Sequence, residues 1–191
     1  MIEGNLAYSS GGGIYVAAWA EATIDSNVIR NNTAYYWGGG GITLWNNTCS
    51  GGACMDVYNN IIYQNNALRP GGWGFGNGGG IYCRYNKSNQ FNNTIVGNIS
   101  EGEGGGIYVL NQGNTYPDIT NTIVWGNSAA EGDQVSLEVI EGSSSTYYSV
   151  ANITYSNVEG GWDGTGNIGA TPLFSNPAVG DFQLLTGSGG I

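Results

Sequence analysis

The sequence predicts an all-β fold built from a short unit that repeats and stacks, and three observations predict it. An apolar residue followed three positions later by asparagine recurs along the 191 residues. A Gly-Gly-Gly-Ile motif recurs between these copies. The 35 glycines and 24 asparagines disfavour helices, because both residue types are poor helix formers. Self-similarity at a near-constant period indicates a solenoid, whose units bury a core only by stacking.

The first motif, called the IxxN motif here, is an apolar residue, two variable positions and an asparagine. Its copies are Ile2 to Asn5, Ile29 to Asn32, Ile62 to Asn65, Ile95 to Asn98, Val124 to Asn127 and a degenerate sixth, Ile153 to Ser156. The steps between copies are 27, 33, 33, 29 and 29 residues, which predicts about six coils. Short amides bond to turn backbone and to one another along a stack. We therefore expect a structural ladder of Asn5, Asn32, Asn65, Asn98 and Asn127.

The second motif predicts a strand after each glycine run. Its copies begin at Gly11, Gly39, Gly78 and Gly104. Alternation in a strand turns two residues inward and the residue between them outward. The predicted inward pairs are Ile14 and Val16, Ile42 and Leu44, Ile81 and Cys83, and Ile107 and Val109. The outward residues include Tyr15, Tyr82 and Tyr108, an aromatic strip that either contacts a ligand such as a sugar or only packs across strands.

The organisation of the chain follows from where the motifs stop. Residues 1–149 are predicted to form the coils, and residues 150–191 the last coil and a C-terminal capping tail of the same domain, because terminal repeats are atypical. An insertion at residues 67–77 carries Trp73 and Phe75, which are either exposed for ligand contact or folded over the side of the coils. Since the first IxxN copy begins at residue 2, we expect the chain to be part of a longer secreted polypeptide.

Charge and cysteine content limit the partners. The net charge is −10 and only four residues are basic, which disfavours nucleic acid. No apolar stretch approaches the roughly 20 residues of a membrane helix, so we expect no membrane span. Cys49 and Cys54 bracket a short loop that a disulfide could close. Cys83 occupies the position of Val16 and Val109 in other copies, which predicts a buried free thiol.

The sequence predicts no enzyme and no cofactor. It contains no histidine, which excludes mechanisms that use imidazole. The aspartates of residues 1–149, Asp25, Asp56, Asp118 and Asp133, are isolated and in no common register, whereas a polysaccharide hydrolase needs a cluster. A lyase would need a basic residue beside acidic ligands for Ca²⁺, and Arg30, Arg84 and Lys87 have no acidic cluster near them.

One acidic group is a weak candidate for a Ca²⁺ site. It consists of Glu101, Glu103, Glu131 and Asp133. Glu103 and Glu131 each lie four residues before an inward residue of successive coils, so stacking brings them together. A hard cation could relieve their repulsion; the alternative is a solvated acidic corner.

Together the motifs resemble a known class of proteins. The GGGIY copies, NTIVGN, NTIVWGNSA and the tail YSNVEGGWDGTGNIGATPLFSNPAVGDFQL are similar to the right-handed parallel β-helix repeats of bacterial surface proteins. The polymorphic-outer-membrane-protein type pairs a GGAI-like with an FxxN-like motif. Tails of this type usually read ADPLF, and here Thr171 replaces the aspartate.

The resemblance implies a right-handed parallel β-helix that acts as a non-catalytic extracellular scaffold or adhesive repeat region of a larger surface or secreted protein. The first alternative is a carbohydrate-binding or pectate-lyase-like module that acts on polysaccharides. The second is a filament subunit whose copies stack head to tail. The expected partners are therefore surface glycans or other copies of the chain.

Overall fold

The computed structural model describes residues 1–17, 20–45, 55–111, 116–141 and 146–189. Within these ranges nearly all regular structure is short β-strand, apart from single-turn 3₁₀ helices at Pro70–Gly72 and Pro177–Val179. The prediction of an all-β fold is confirmed.

The strands follow one another at short intervals. In chain order they are β1 (Ile2–Glu3), β2 (Leu6–Ala7), β3 (Ile14–Val16), β4 (Ala22–Asp25), β5 (Val28–Arg30), β6 (Thr33–Tyr35), β7 (Ile42–Trp45), β8 (Met55–Tyr58), β9 (Ile61–Tyr63), β10 (Asn66–Leu68), β11 (Ile81–Arg84), β12 (Ser88–Phe91), β13 (Thr94–Val96), β14 (Ile99–Ser100), β15 (Ile107–Leu110), β16 (Asp118–Thr120), β17 (Ile123–Trp125), β18 (Val135–Leu137), β19 (Val139–Glu141), β20 (Thr146–Tyr148), β21 (Asn152–Thr154), β22 (Asn157–Val158), β23 (Phe174–Asn176) and β24 (Asp181–Leu184).

Most of these strands form four parallel sheets. The first sheet has the order β1-β5-β9-β13-β17-β22, the second β2-β6-β10-β14, the third β3-β7-β11-β15-β18 and the fourth β4-β8-β12-β16-β21. Through the first four repeats the chain visits the four sheets in this sequence and then returns to the first. In the fifth repeat the second sheet is continued only by a single bridge, between Ile99 and Ser128. Neighbouring strands within a sheet therefore come from successive repeats. This order is consistent with a β-helix-like solenoid.

The core is a set of aliphatic columns that run along the stack. In the first sheet Ile29 pairs with Ile62, Ile62 with Ile95 and Ile95 with Val124, and all four side chains are fully buried. The inward pairs predicted for the third sheet are confirmed, since they belong to the same core, with Ile14 packed against its edge. Truncating one such side chain typically costs about 2–5 kcal/mol.

The third glycine of each run is required by close packing. A Cβ atom on Gly80 would lie 2.6 Å from the carbonyl oxygen of Gly106 and 3.1 Å from the Asn98 side-chain amide. Gly41 and Gly106 have equivalent surroundings. The corner between the second and third sheets therefore closes against the asparagines only if no side chain intervenes.

The prediction that the degenerate sixth IxxN copy continues the first five is wrong. Ile153 pairs with Ile119 in the fourth sheet, whereas the partner of Val124 in the first sheet is Val158. The reason is that the same spacing occurs at a second corner, where the fourth sheet ends. That second series is Ile24 to Asn27, Val57 to Asn60, Gln90 to Asn93, Ile119 to Thr122 and Ile153 to Ser156.

The C-terminal part of the chain does three different things. Strands β21 and β22 extend the fourth and first sheets. The segment after β22 places Trp162, half-buried, against the end of the core. Strands β23 and β24 then form an antiparallel hairpin that returns to the outer face of the first sheet, where the Phe182 ring lies 5.1 Å from the Tyr63 ring.

Among the residues that the structure describes, no helix has the length and apolarity needed to cross a lipid bilayer.

Candidate functional site

The five predicted ladder asparagines lie over one another. The Oδ1 atom of each one after Asn5 accepts two hydrogen bonds from the preceding member, one from its backbone N–H and one from its side-chain amide. The distances for Asn65 are 3.1 and 3.0 Å to Asn32. Asn127 continues the series to Gln134, whose Oε1 accepts from the Asn127 side chain at 2.8 Å. We call this series, Asn5 to Gln134, the first ladder.

Each inner member of the first ladder is fully satisfied. The Nδ2 atom of Asn65 donates to the Ile29 carbonyl oxygen at 2.9 Å and to Asn98 at 2.9 Å. Asn98 and Asn127 make the same pair of bonds one and two coils further along. Buried polar groups cost free energy unless they are hydrogen-bonded. These side-chain amides use all their hydrogen bonds to join neighbouring coils.

A second ladder, missed by the sequence reading, runs along the corner after the fourth sheet. Its members are Asn27, Asn60, Asn93, Thr122, Ser156 and Asn167. The Ser156 backbone N–H donates to Asn167 at 2.9 Å, which ends the series near Trp162. The available signal was the asparagine one or two positions before each apolar run in SNVIR, NNIIY and NNTIV.

A polar group interrupts the core in the third coil. Gln90 occupies the column of Val57 and Ile119, and its side-chain amide donates to the Cys83 sulfur at 3.1 Å and to the Ser88 hydroxyl at 3.0 Å. Cys83 is a free, fully buried thiol, as predicted. Burial raises the pKa of this thiol to about 12, more than its hydrogen bond from Gln90 lowers it, so the sulfur is a core atom rather than a nucleophile.

We expect the free energy of unfolding to fall as the pH rises above about 8.5, where an exposed thiol ionises. Burial also raises the pKa of Tyr82 to about 12. The unfolded chain then releases protons that the native chain keeps until about pH 12, and stability declines with rising pH. Urea unfolding across this range measures the slope. Replacing Cys83 by valine should remove the decline in unfolding free energy between about pH 8.5 and 10. An unchanged slope in this variant would contradict the raised pKa of the Cys83 thiol.

The predicted aromatic strip is accessible at only one of its three residues. Tyr15 is half-exposed, whereas Tyr82 and Tyr108 are each only 3% exposed. Their rings pack at 5.2 Å, and the Tyr108 hydroxyl donates to the Glu138 carboxylate. Burial and this hydrogen bond raise the pKa of Tyr108. The prediction that Tyr82 and Tyr108 contact a ligand is therefore corrected, and both are packing residues. Alternation turns their side chains away from the core, but other side chains cover them from outside.

The acidic candidates lie near one another but have separate partners. Glu103 and Glu131 form a parallel backbone bridge, and a cavity of about 320 Å³ borders both. The Glu103 carboxylate accepts from the Ser136 hydroxyl at 2.7 Å, and that of Asp133 from the Ala129 N–H at 2.8 Å. Glu101 accepts from the Arg69 N–H. In the described ranges, no group of three or more carboxylate, thiol or imidazole side chains is arranged to hold a metal ion.

Two aspartates share a register that the sequence reading missed. Asp56 and Asp118 both align with Asn89 in the fourth sheet, one coil before it and one coil after it. The Asn89 amide donates to Asp56 at 2.9 Å, and Asn152 donates to Asp118 at 2.8 Å. The statement that the aspartates have no common register is therefore wrong for this pair. Unequal insertions between coils hid the alignment.

Trp73 and Phe75 are exposed, at 77% and 54% of their surface. Of the two alternatives for this loop, the structure shows these side chains directed to solvent. The Phe75 ring lies 5.4 Å from the ring of Trp37. Nothing in the sequence pattern pointed to Trp37.

Two cavities lie at the end of the stack. Cavities of about 710 and 530 Å³ are both lined by Trp162, the first also by Leu137 and Ile168, the second by Gln134 and Val158. The candidate disulfide, Cys49–Cys54, lies outside the described residues.

No protein-family model, curated protein or solved structure shows significant similarity to the chain.

Proposed function

We propose that the chain is a right-handed parallel β-helix of about six coils that serves as a non-catalytic, extracellular scaffold of adhesive type within a larger surface or secreted protein. The observation that carries the proposal is the pair of buried polar ladders, which join each coil to the next through side-chain amides and hydroxyls. The buried polar side chains of the ladders thus stabilise the stack of coils.

The ladders suit a structural spacer because their bonds are directional and, in the inner coils, buried. In a repeat stack, stability is approximately a sum of unit and neighbour terms, so every ladder bond strengthens the contact between two coils. The one ion pair between described residues, Arg30 to Glu3 at 2.8 Å, also joins neighbouring coils.

The basic residues weigh against a lyase. The Arg84 guanidinium lies 4.0 Å from the Trp45 ring centre, and Arg30 donates to the Tyr63 hydroxyl at 2.7 Å. Both guanidinium groups are thus engaged by side chains of neighbouring coils.

The end of the stack weighs against head-to-tail filaments. The Val158 N–H donates to the Ile168 carbonyl at 3.0 Å, the Ile168 N–H to Ser156 at 2.9 Å and the Tyr155 N–H to Thr165 at 2.8 Å. A second copy stacked on this end would have to displace the segment around Trp162.

Antibody labelling of the producing cells tests the placement. An antibody raised against the folded chain should label intact cells or the culture medium, and labelling only after permeabilisation would contradict the proposal. Incubation with a panel of acidic and neutral polysaccharides should release neither reducing ends nor unsaturated sugars; release of either would favour the polysaccharide-active alternative. A crystal structure decides handedness and the number of coils.

A further inference from the structure

Among the described residues, six aromatic side chains gather where the chain leaves the second sheet. We call this group the aromatic corner: Tyr8, Tyr35, Tyr36, Trp37, Trp73 and Phe75. The Tyr8 and Tyr35 rings lie 5.5 Å apart, those of Tyr35 and Tyr36 6.3 Å apart. Tyr8 is 73% exposed and Trp37 43%. Clustered exposed apolar surface of this kind marks interaction sites.

The backbone holds this surface open instead of letting it collapse. The Gly76 N–H donates to the Tyr36 carbonyl at 2.9 Å, and the Phe75 N–H donates to the same oxygen. Gly74 has φ +84°, and a Cβ atom there would lie 2.2 Å from that oxygen. Only glycine allows this approach. The loop is therefore fixed at its base while Trp73 remains in water, although burying a large apolar side chain would stabilise the chain.

Tyr36 adds a second sign of a built surface. Its φ is +71°, a left-handed conformation that is rare and strained for a bulky residue. Its carbonyl is the acceptor of both loop hydrogen bonds. These two hydrogen bonds hold the strained turn that carries Tyr35, Tyr36 and Trp37.

We infer that the aromatic corner binds an uncharged saccharide chain. The C–H faces of sugars stack on aromatic rings, and tyrosine hydroxyls and the indole N–H supply hydrogen bonds at the rim. All six side chains are uncharged, and the net charge of −10 repels acidic polysaccharides. Tyr8 and Tyr35 stand on successive coils, with ring centres 5.5 Å apart and ring planes inclined by 70°, so a saccharide chain can meet the face of one ring and the edge of the next.

This site goes beyond the scaffold role and does not depend on it, because binding can be measured on the purified chain wherever the protein resides. It also differs from the aromatic strip predicted from sequence, since Tyr82 and Tyr108 are buried. Trp73 and Phe75 are the predicted ligand-contact residues that it retains.

Native affinity electrophoresis tests the inference. Gels containing hydroxyethyl cellulose, xyloglucan or galactomannan should retard the chain in at least one case, and polygalacturonate should not. Trp73→Ala should raise the dissociation constant for the retarding polysaccharide about tenfold, which corresponds to a loss of about 1.4 kcal/mol of binding free energy. Tyr148→Ala is the matched control, because Tyr148 is an exposed aromatic residue on a different hairpin, and it should bind like the unchanged chain. Both variants should keep the unfolding temperature of the unchanged chain.

Four results would overturn the inference. They are no retardation by any of the three neutral polysaccharides, equal retardation by polygalacturonate, an equal loss in both variants, or self-association in sedimentation that Trp73→Ala abolishes. The last would identify the corner as a contact between copies. None of them bears on where the protein is located, so failure here is distinguishable from failure of the scaffold proposal.

Discussion

Replacing Asn65 by alanine should destabilise the chain by roughly 2–6 kcal/mol, because each buried group left without a partner costs about 1–3 kcal/mol. The change removes the acceptor of the Asn32 backbone N–H and the donor to the Ile29 carbonyl oxygen. It also removes the amide bond to Asn98. Since the free energy of unfolding of a folded domain is only about 5–15 kcal/mol, this one substitution should remove a large part of it.

Urea unfolding followed by circular dichroism measures the effect. Asn66→Ala is the matched control, because this neighbouring asparagine is half-buried and lies outside the ladder; its cost should stay below about 1 kcal/mol, the usual range near the surface. Asn65→Ser should recover part of the loss, since Thr122 and Ser156 occupy equivalent places in the second ladder. Equal costs at Asn65 and Asn66 would contradict a structural role for the ladder.

Gly80→Ala should cost about 3 kcal/mol or more, at or above the usual upper range for overpacking. The added Cβ would lie 2.6 Å from the Gly106 carbonyl oxygen and 2.9 Å from Ile95 Cγ2. That carbonyl cannot move away freely, because it accepts from the Ile81 N–H at 2.9 Å. Relief of the clash would therefore break the bond between two coils.

Gly97→Ala provides the comparison, again by urea unfolding. Gly97 has φ +62°, but no atom lies within 4 Å of an added Cβ. Its cost should be about 1–2 kcal/mol, that of a left-handed conformation alone. If Gly97→Ala proved the more damaging of the two, close packing at the glycine corner would not be what the GGG motif provides.

The repeated features of this fold could be predicted because they repeat. The first ladder and the inward pairs of the third sheet follow from spacing, since stacking places equivalent residues in one column. Even so, the spacing alone did not say which corner a copy belongs to. Ile153 to Ser156 is a degenerate copy whose spacing places it in the first series, whereas its column is that of Ile119.

The aromatic residues show where prediction from spacing ends. Alternation placed Tyr15, Tyr82 and Tyr108 on one outward column, but it carried no information on what covers that column. Conversely, Tyr8, Tyr35 and Trp37 belong to no motif, and only the loop that carries Trp73 and Phe75, bonded to Tyr36, assembles them into one surface.

The sequence by itself determined the all-β class, the period, the inward-facing residues and the first ladder, because these depend only on a unit stacked on its own copy. The tertiary structure decided the burial of Tyr82, the register of Asp56 with Asp118, the return of Phe182 to Tyr63 and the aromatic corner. These depend on segments that do not repeat, namely insertions and the C-terminal hairpin, whose contacts are set by shape across long separations rather than by any period.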